Sequence, residues 1–204
     1  GFVAIFNYKG MTDKDFVTSF DSIKYDDERG LFAFEFDYEN FVTHKVEMAR
    51  NKWTVYTYGE RIKRKFKNGL WDTAEKVDLT YQMRSILEKY EIEYNKGQDI
   101  LEQIEELDEK AQNGICKEIK YLVKDIVQMR NSLPDNAAED YDAIISPVIN
   151  NNGEFFDSTR GDEDKPLDAD ANGAYCIALK GLYEVMQIKK NWNEETEFPR
   201  KELK

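Results

Sequence analysis

The chain has 204 residues, with 29 Lys+Arg against 41 Asp+Glu, a formal charge of −12 and 41% apolar residues. Twelve Phe, twelve Tyr and three Trp supply the apolar area of a real core, which excludes whole-chain disorder and suits one large domain or a domain with an appendage. No apolar run approaches the roughly 20 residues of a membrane helix, and no signal-peptide pattern opens the chain.

Gly1-Phe2-Val3 opens the sequence without Met, which reads as a piece of something longer. In chain order, the first part is β-rich. Phe32, Phe34 and Phe36 alternate with Ala33, Glu35 and Asp37, a period of two, after the turn residues Asp26-Asp27-Glu28-Arg29-Gly30. Trp53 to Tyr58, closed by Gly59, forms a second strand pattern. The middle is helical, with short helices over 81–90 and 99–110. The strongest helix spans about 114–131, where Ile115, Ile119, Leu122, Val123 and Ile126 recur at offsets 0, 4, 7, 8 and 11. Residues 132–167 read as irregular and hold Pro134, Pro147 and Pro166. A final helix over about 173–190 carries Ala174, Ile177, Ala178, Leu182, Val185 and Ile188 on one face. The expected class is α+β, with helices and antiparallel strands mixed.

Cysteine and histidine usage excludes several chemistries. Cys116 and Cys176 lie sixty residues apart, neither a disulfide framework nor a zinc spacing. His44 is the single histidine, so no His-rich metal site exists and any Ser-His-Asp relay would need that one residue. Chemistry here must rest on carboxylates, arginines or backbone.

Charge is unevenly placed. Residues 45–67 hold eight Lys/Arg against two Glu, including Arg61, Lys63, Arg64 and Lys65, whereas residues 133–170 hold eleven acids against two bases. The acidic total argues against a general polyanion coat but leaves room for a local phosphate-binding patch. A solvated face is the plain alternative.

Two positions stand out. Arg130, at offset 15 from Ile115, falls about 60° round the wheel, inside the apolar stripe. It is either a dipole-favoured residue of the last helical turn, paired with an acid of 133–170, or an arginine aimed into a cleft to grip phosphate. Asp168-Ala169-Asp170-Ala171-Asn172-Gly173 opens like a calcium loop, but its twelfth position is Leu179, which excludes that reading. What remains is a helix cap formed by Asp170 or Asn172, or Asp170 as one carboxylate of a Mg²⁺ site. One carboxylate cannot hold that site alone.

These blocks, in this order, resemble a known family. Gln128-Met129-Arg130-Asn131-Ser132, Ile145-Ser146-Pro147-Val148, Asn152-Gly153 with Phe156-Asp157-Ser158, and Asp168 to Tyr175 resemble the C-terminal part of the type V-A CRISPR RNA-guided endonuclease. Lys52-Trp53-Thr54 with Gly59 and Arg61, and Phe34 to Tyr38 with Asn40-Phe41, fit the same pattern. The resemblance implies a Nuc domain over 1–166 and the start of a third RuvC-like segment over 167–204. It implies a cytoplasmic prokaryotic protein acting on target DNA with guide RNA, with no membrane, through one Mg²⁺-dependent RuvC-like site. Asp170 matches the third catalytic carboxylate and metal ligand, and Arg130 the arginine that presents the DNA strand. Asn131, Ser132, Arg61, Lys63 and Arg64 are implied DNA contacts. The Nuc aspartate matches Asp140 or Asp142, with spacing to Pro147 favouring Asp142. Arg160 stands one residue later than the family's Asp-Ser-Arg pattern.

The resemblance places the other two carboxylates in RuvC-like segments upstream of Gly1, so the chain alone is expected to be inactive. Two other functions compete: a non-catalytic DNA-guiding module using aromatics at 53–58 beside the cations at 61–67, and a plain interaction domain. The final helix would then dock on the preceding domain or on a neighbour.

Overall fold

The computed structural model describes residues 11–37, 52–63, 66–67, 69–71, 75–132, 142–150, 152–160 and 169–191. Its elements mix helices with antiparallel sheets, an α+β fold. Helix α1 (Asp13–Thr18) begins at a capping box, in which the Thr12 hydroxyl accepts from Asp15 N at 3.0 Å and the Asp15 carboxylate accepts from Thr12 N at 3.3 Å. Strands β1 (Ser22–Asp26) and β2 (Leu31–Asp37) form a hairpin, and β3 (Lys52–Tyr56) pairs with the far edge of β2. Phe32, Phe34 and Phe36 are all buried, as the alternation predicts. The β3 strand stops at Tyr56, two residues earlier than expected.

Three helices cover this sheet: α2 (Leu79–Lys89), α3 (Ile100–Glu106) and α4 (Glu109–Ile126). The predicted stripe of α4 is wholly buried and packs with Phe16, Phe34, Met83 and Leu87 in one core. The single helix expected over 99–110 is instead divided. Asp108 accepts from Ala111 N at 2.9 Å and starts α4 afresh, because a capping aspartate competes with helix continuation. Cys116 is buried, and burial pushes its thiol up to about 11, so it is an inert core thiol.

Asp99 ties the layers together. Its Oδ1 accepts from Leu101 N at 3.1 Å, capping α3, and from Ile23 N at 3.1 Å, holding β1. Asp99→Ala therefore loses a cap and strands a buried strand donor, an expected loss of about 2 kcal/mol in urea unfolding. A loss below about 0.5 kcal/mol would remove Asp99 from this role.

Two further ladders follow the first sheet, and the stretch expected to be irregular, 132–167, also contains strands. Strands β4 (Glu60–Lys63) and β7 (Glu75–Asp78) pair, as do the two-residue strands β5 (Phe66–Lys67) and β6 (Leu70–Trp71). Strands β8 (Arg130–Ser132), β9 (Asp142–Ile149) and β10 (Phe155–Asp157) form a sheet in the order β10-β9-β8. Pro147 does not prevent this strand. It lies between the paired positions Ile145 and Ile149, where the β9–β10 register shifts, a place where a missing N–H is tolerated. Ser146 Oγ takes over the local bonding, accepting from Val148 N at 3.2 Å.

Helix α5 (Ala169–Asn191) starts earlier than the predicted 173. Its root lies on β9, where Asn172 is buried. The face bearing Ile177, Leu182, Val185 and Ile188 is exposed, so among the described residues it does not dock on the preceding domain.

Candidate nucleic-acid interface

Arg61 and Lys63, the described cations of the basic run whose side chains are placed, are held by the protein's own groups. Arg61 is fully buried. Its Nη1 donates to the carbonyls of Tyr58 at 3.2 Å and Glu60 at 3.0 Å. Its Nε donates to Asp125 O at 3.2 Å, and Nη2 to Ile126 O at 3.1 Å and Ile145 O at 3.4 Å. The guanidinium thus occupies the C-terminal end of α4, where orphan carbonyls and the helix dipole favour a cation. Burial pushes its pKa down to about 10, partly offset by Asp157 and Asp125, so it remains charged at neutral pH. From this buried position Arg61 clamps β4, α4 and β9 together.

The clamp also explains why α4 ends at Ile126 and not at Asn131. The guanidinium takes the last carbonyls, the chain turns through Val127 to Met129, and Arg130 opens β8. Arg130 is accordingly not on a helical apolar stripe. Asn131 is likewise committed inward. Its Oδ1 accepts from Ile62 N at 2.6 Å and its Nδ2 donates to Glu60 O at 2.9 Å, lacing β8 to β4. Lys63 pairs with Asp125 Oδ2 at 2.6 Å and donates to Gln82 Oε1 at 3.1 Å, so this cation serves α4 and α2.

Arg130 and Asp170, forty residues apart in sequence, meet. Arg130 Nη2 lies 3.2 Å from Asp170 Oδ2, with the side chains 55% and 82% exposed. Alternation along β8 separates them from the inward-facing Asn131, and Asp170 is in the first turn of α5, so it is a helical residue with an outward carboxylate. The backbones of Ser132 and Asp142 pair across β8 and β9. Arg64, Asp140 and His44 lie outside the described residues.

The aromatics at 53–58 are not an open stacking face: Val55 and Tyr56 are buried and Trp53 and Tyr58 half-buried. Instead the Tyr58 ring stacks on Phe155, with centroids 4.0 Å apart and planes 7° from parallel. Ser158 Oγ accepts from Ile144 N at 2.9 Å and fixes the 3₁₀ turn Ser158–Arg160 beside them. Sequence reasoning missed Phe155 as a site residue, since nothing in a run called irregular marks a cross-strand partner.

Among the described residues, no three His, Cys, Asp or Glu side chains gather into a group that could hold a metal ion. Asp170 alone does not fit Mg²⁺, which asks for several oxygen ligands. None of the described helices is long and apolar enough to cross a membrane. Compared with known families, residues 1–160 match the family model NUC, described as a nuclease domain.

Proposed function

We propose, for a chain that belongs to the NUC nuclease-domain family, that it is the strand-presenting part of a type V-A CRISPR RNA-guided DNA endonuclease, with its Nuc domain over 1–166 and a RuvC-like segment over 167–204. The observation that carries the reading is the contact of Arg130 with Asp170, the two residues to which the family resemblance assigns strand presentation and catalysis. An arginine held beside a catalytic carboxylate can grip a phosphate bidentately and set the scissile bond against that carboxylate.

In this reading Asp170 would be one ligand of a site that other carboxylates complete, where Mg²⁺ would supply charge stabilisation at the phosphate. The work of this chain is positional. Arg61 and Asn131 hold the start of β8, which fixes where Arg130 emerges. Arg130 orients the strand, and α5 carries Asp170 to meet it.

The test is incubation of labelled single-stranded DNA with the chain in Mg²⁺ or Mn²⁺, read for both binding and cutting. Binding that weakens steeply with salt, without cleavage, is the expected result. Cutting by the chain alone would overturn the divided site, and no binding at low salt would overturn strand presentation.

A further inference from the structure

The outer face of α4 carries a second pattern, distinct from its buried apolar stripe. From Lys110 to the helix end, the exposed residues are Lys110, Asn113, Lys117, Tyr121 and Lys124. Three are cations and none is an acid, in a chain whose formal charge is −12. The lysines recur every seven residues, close to two helical turns, so they fall on one line. At about 1.5 Å per residue, neighbouring lysines stand about 10.5 Å apart and the row runs about 21 Å.

A solvated helix surface commonly pairs lysine with a carboxylate three or four residues away. This row does not. The positions three and four from Lys117 are Asn113, Gly114, Lys120 and Tyr121. Within the helix, those from Lys124 are Lys120 and Tyr121, and those from Lys110 are Asn113 and Gly114. The acids of α4 are placed elsewhere. Glu109 lies in the first turn, Glu118 accepts from Tyr90 Oη at 2.9 Å and pairs with Lys89, and Asp125 pairs with Lys63 at 2.6 Å. Lys120, on the flank, is paired with Asp13 at 2.8 Å. Lys110 and Lys117 form no ion pair among the described residues. Tyr121 is 56% exposed, and Lys124 Nζ lies 5.1 Å from its ring centroid, which holds that ammonium along the row.

Like charges repeated on a straight line fit a polymer whose opposite charges also recur at fixed intervals. A membrane fits poorly, because an interfacial helix needs apolar residues beside its cations, and the apolar stripe of α4 is buried. A protein partner would find one large apolar side chain on this face, Tyr121. We infer that the face bearing Lys110, Lys117 and Lys124 is a track for the phosphate backbone of a single strand, additional to Arg130. The inference rests on the nucleic-acid reading above and adds a contact that is blind to base sequence, since phosphates carry no base identity.

The test is fluorescence anisotropy with a labelled single strand of mixed sequence, titrated from about 50 to 200 mM salt. Lys110→Gln, Lys117→Gln and Lys124→Gln, combined in one variant, remove the charge and keep a good helix former. This variant is expected to bind about 10-fold more weakly at low salt, with a salt slope flatter by about 2, or about 0.7 per lost phosphate contact. A control variant combining Lys24→Gln, Lys52→Gln and Lys76→Gln changes net charge equally on β1, β3 and β7 and is expected to leave affinity and slope unchanged. Unchanged binding in the α4 variant, with Arg130→Ala still weakening it, overturns the track and leaves strand presentation standing. An equal loss in both triple variants is an effect of net charge alone and overturns the placement. Absence of binding by the unsubstituted chain at low salt overturns the nucleic-acid reading and the track with it. Lys117→Gln alone, expected to flatten the slope by about 0.7, decides the matter if the triple variant folds poorly.

Discussion

Arg61→Met is expected to cost at least about 3–5 kcal/mol of folding stability, enough to unfold a domain of ordinary marginal stability. The side chain is fully buried and donates to five carbonyl oxygens drawn from the turn before β4, β4 itself, the end of α4 and β9. Methionine fills much of the volume but removes all five of these donors; Glu60 O keeps Asn131 Nδ2 and Asp125 O keeps Gln128 N, and a buried acceptor left unmade costs about 1–3 kcal/mol. Arg61→Lys should recover only part of the loss. One ammonium keeps the charge at the helix end but cannot spread across acceptors arranged around a planar fork. Urea unfolding followed by circular dichroism measures both variants. A loss under about 1 kcal/mol for Arg61→Met would show that the clamp is not what joins these elements.

Arg130→Ala and Asp170→Asn should move DNA binding in opposite directions and cleavage in the same one. The pair is exposed on both sides, and exposed pairs contribute little, of order 0–1 kcal/mol, so a phosphate can replace the carboxylate on the guanidinium at small cost. Removing Arg130 is expected to weaken single-strand binding by about 5-fold and to flatten the salt dependence by about one phosphate contact. Asp170→Asn removes a negative charge beside the same arginine and should strengthen binding by about 2-fold. In the complete nuclease, both substitutions should slow cutting by about 10²–10³-fold, the usual cost of losing a group that stabilises charge at the reacting centre. Anisotropy and single-turnover cleavage read the two effects separately. Weaker binding in Asp170→Asn would mean that Asp170 holds the arginine in place and does not compete with phosphate for it.

The two expectations differ in kind because the residues they concern were legible in different ways. Arg130 and Asp170 stand inside compact blocks whose order along the chain is unusual, so the sequence marked both, and the fold brought them within 3.2 Å. Arg61 stands in a run of cations, where composition points outward toward solvent or phosphate. Only tertiary packing shows that a helix ends on it. A linear pattern cannot reveal carbonyls that α4 leaves open, and for the same reason the expected helix ran on to Asn131.

What the sequence determined by itself is local and periodic. The alternating phenylalanines set β2, the stripe from Ile115 to Ile126 set the buried face of α4, and both follow from the fixed geometry of strand and helix. The strands β8, β9 and β10 escaped, because β8 and β10 have only three residues each and Pro147 interrupts the pattern of β9, so none carries a period long enough to recognise. The exposed apolar face of α5 follows the same division. Its pattern specifies a helix, but whether that face is covered depends on neighbours that the helix's own residues do not encode. Tertiary structure decided which charges are buried, which aromatics stack and which two polar residues meet, since each depends on groups that only folding brings together.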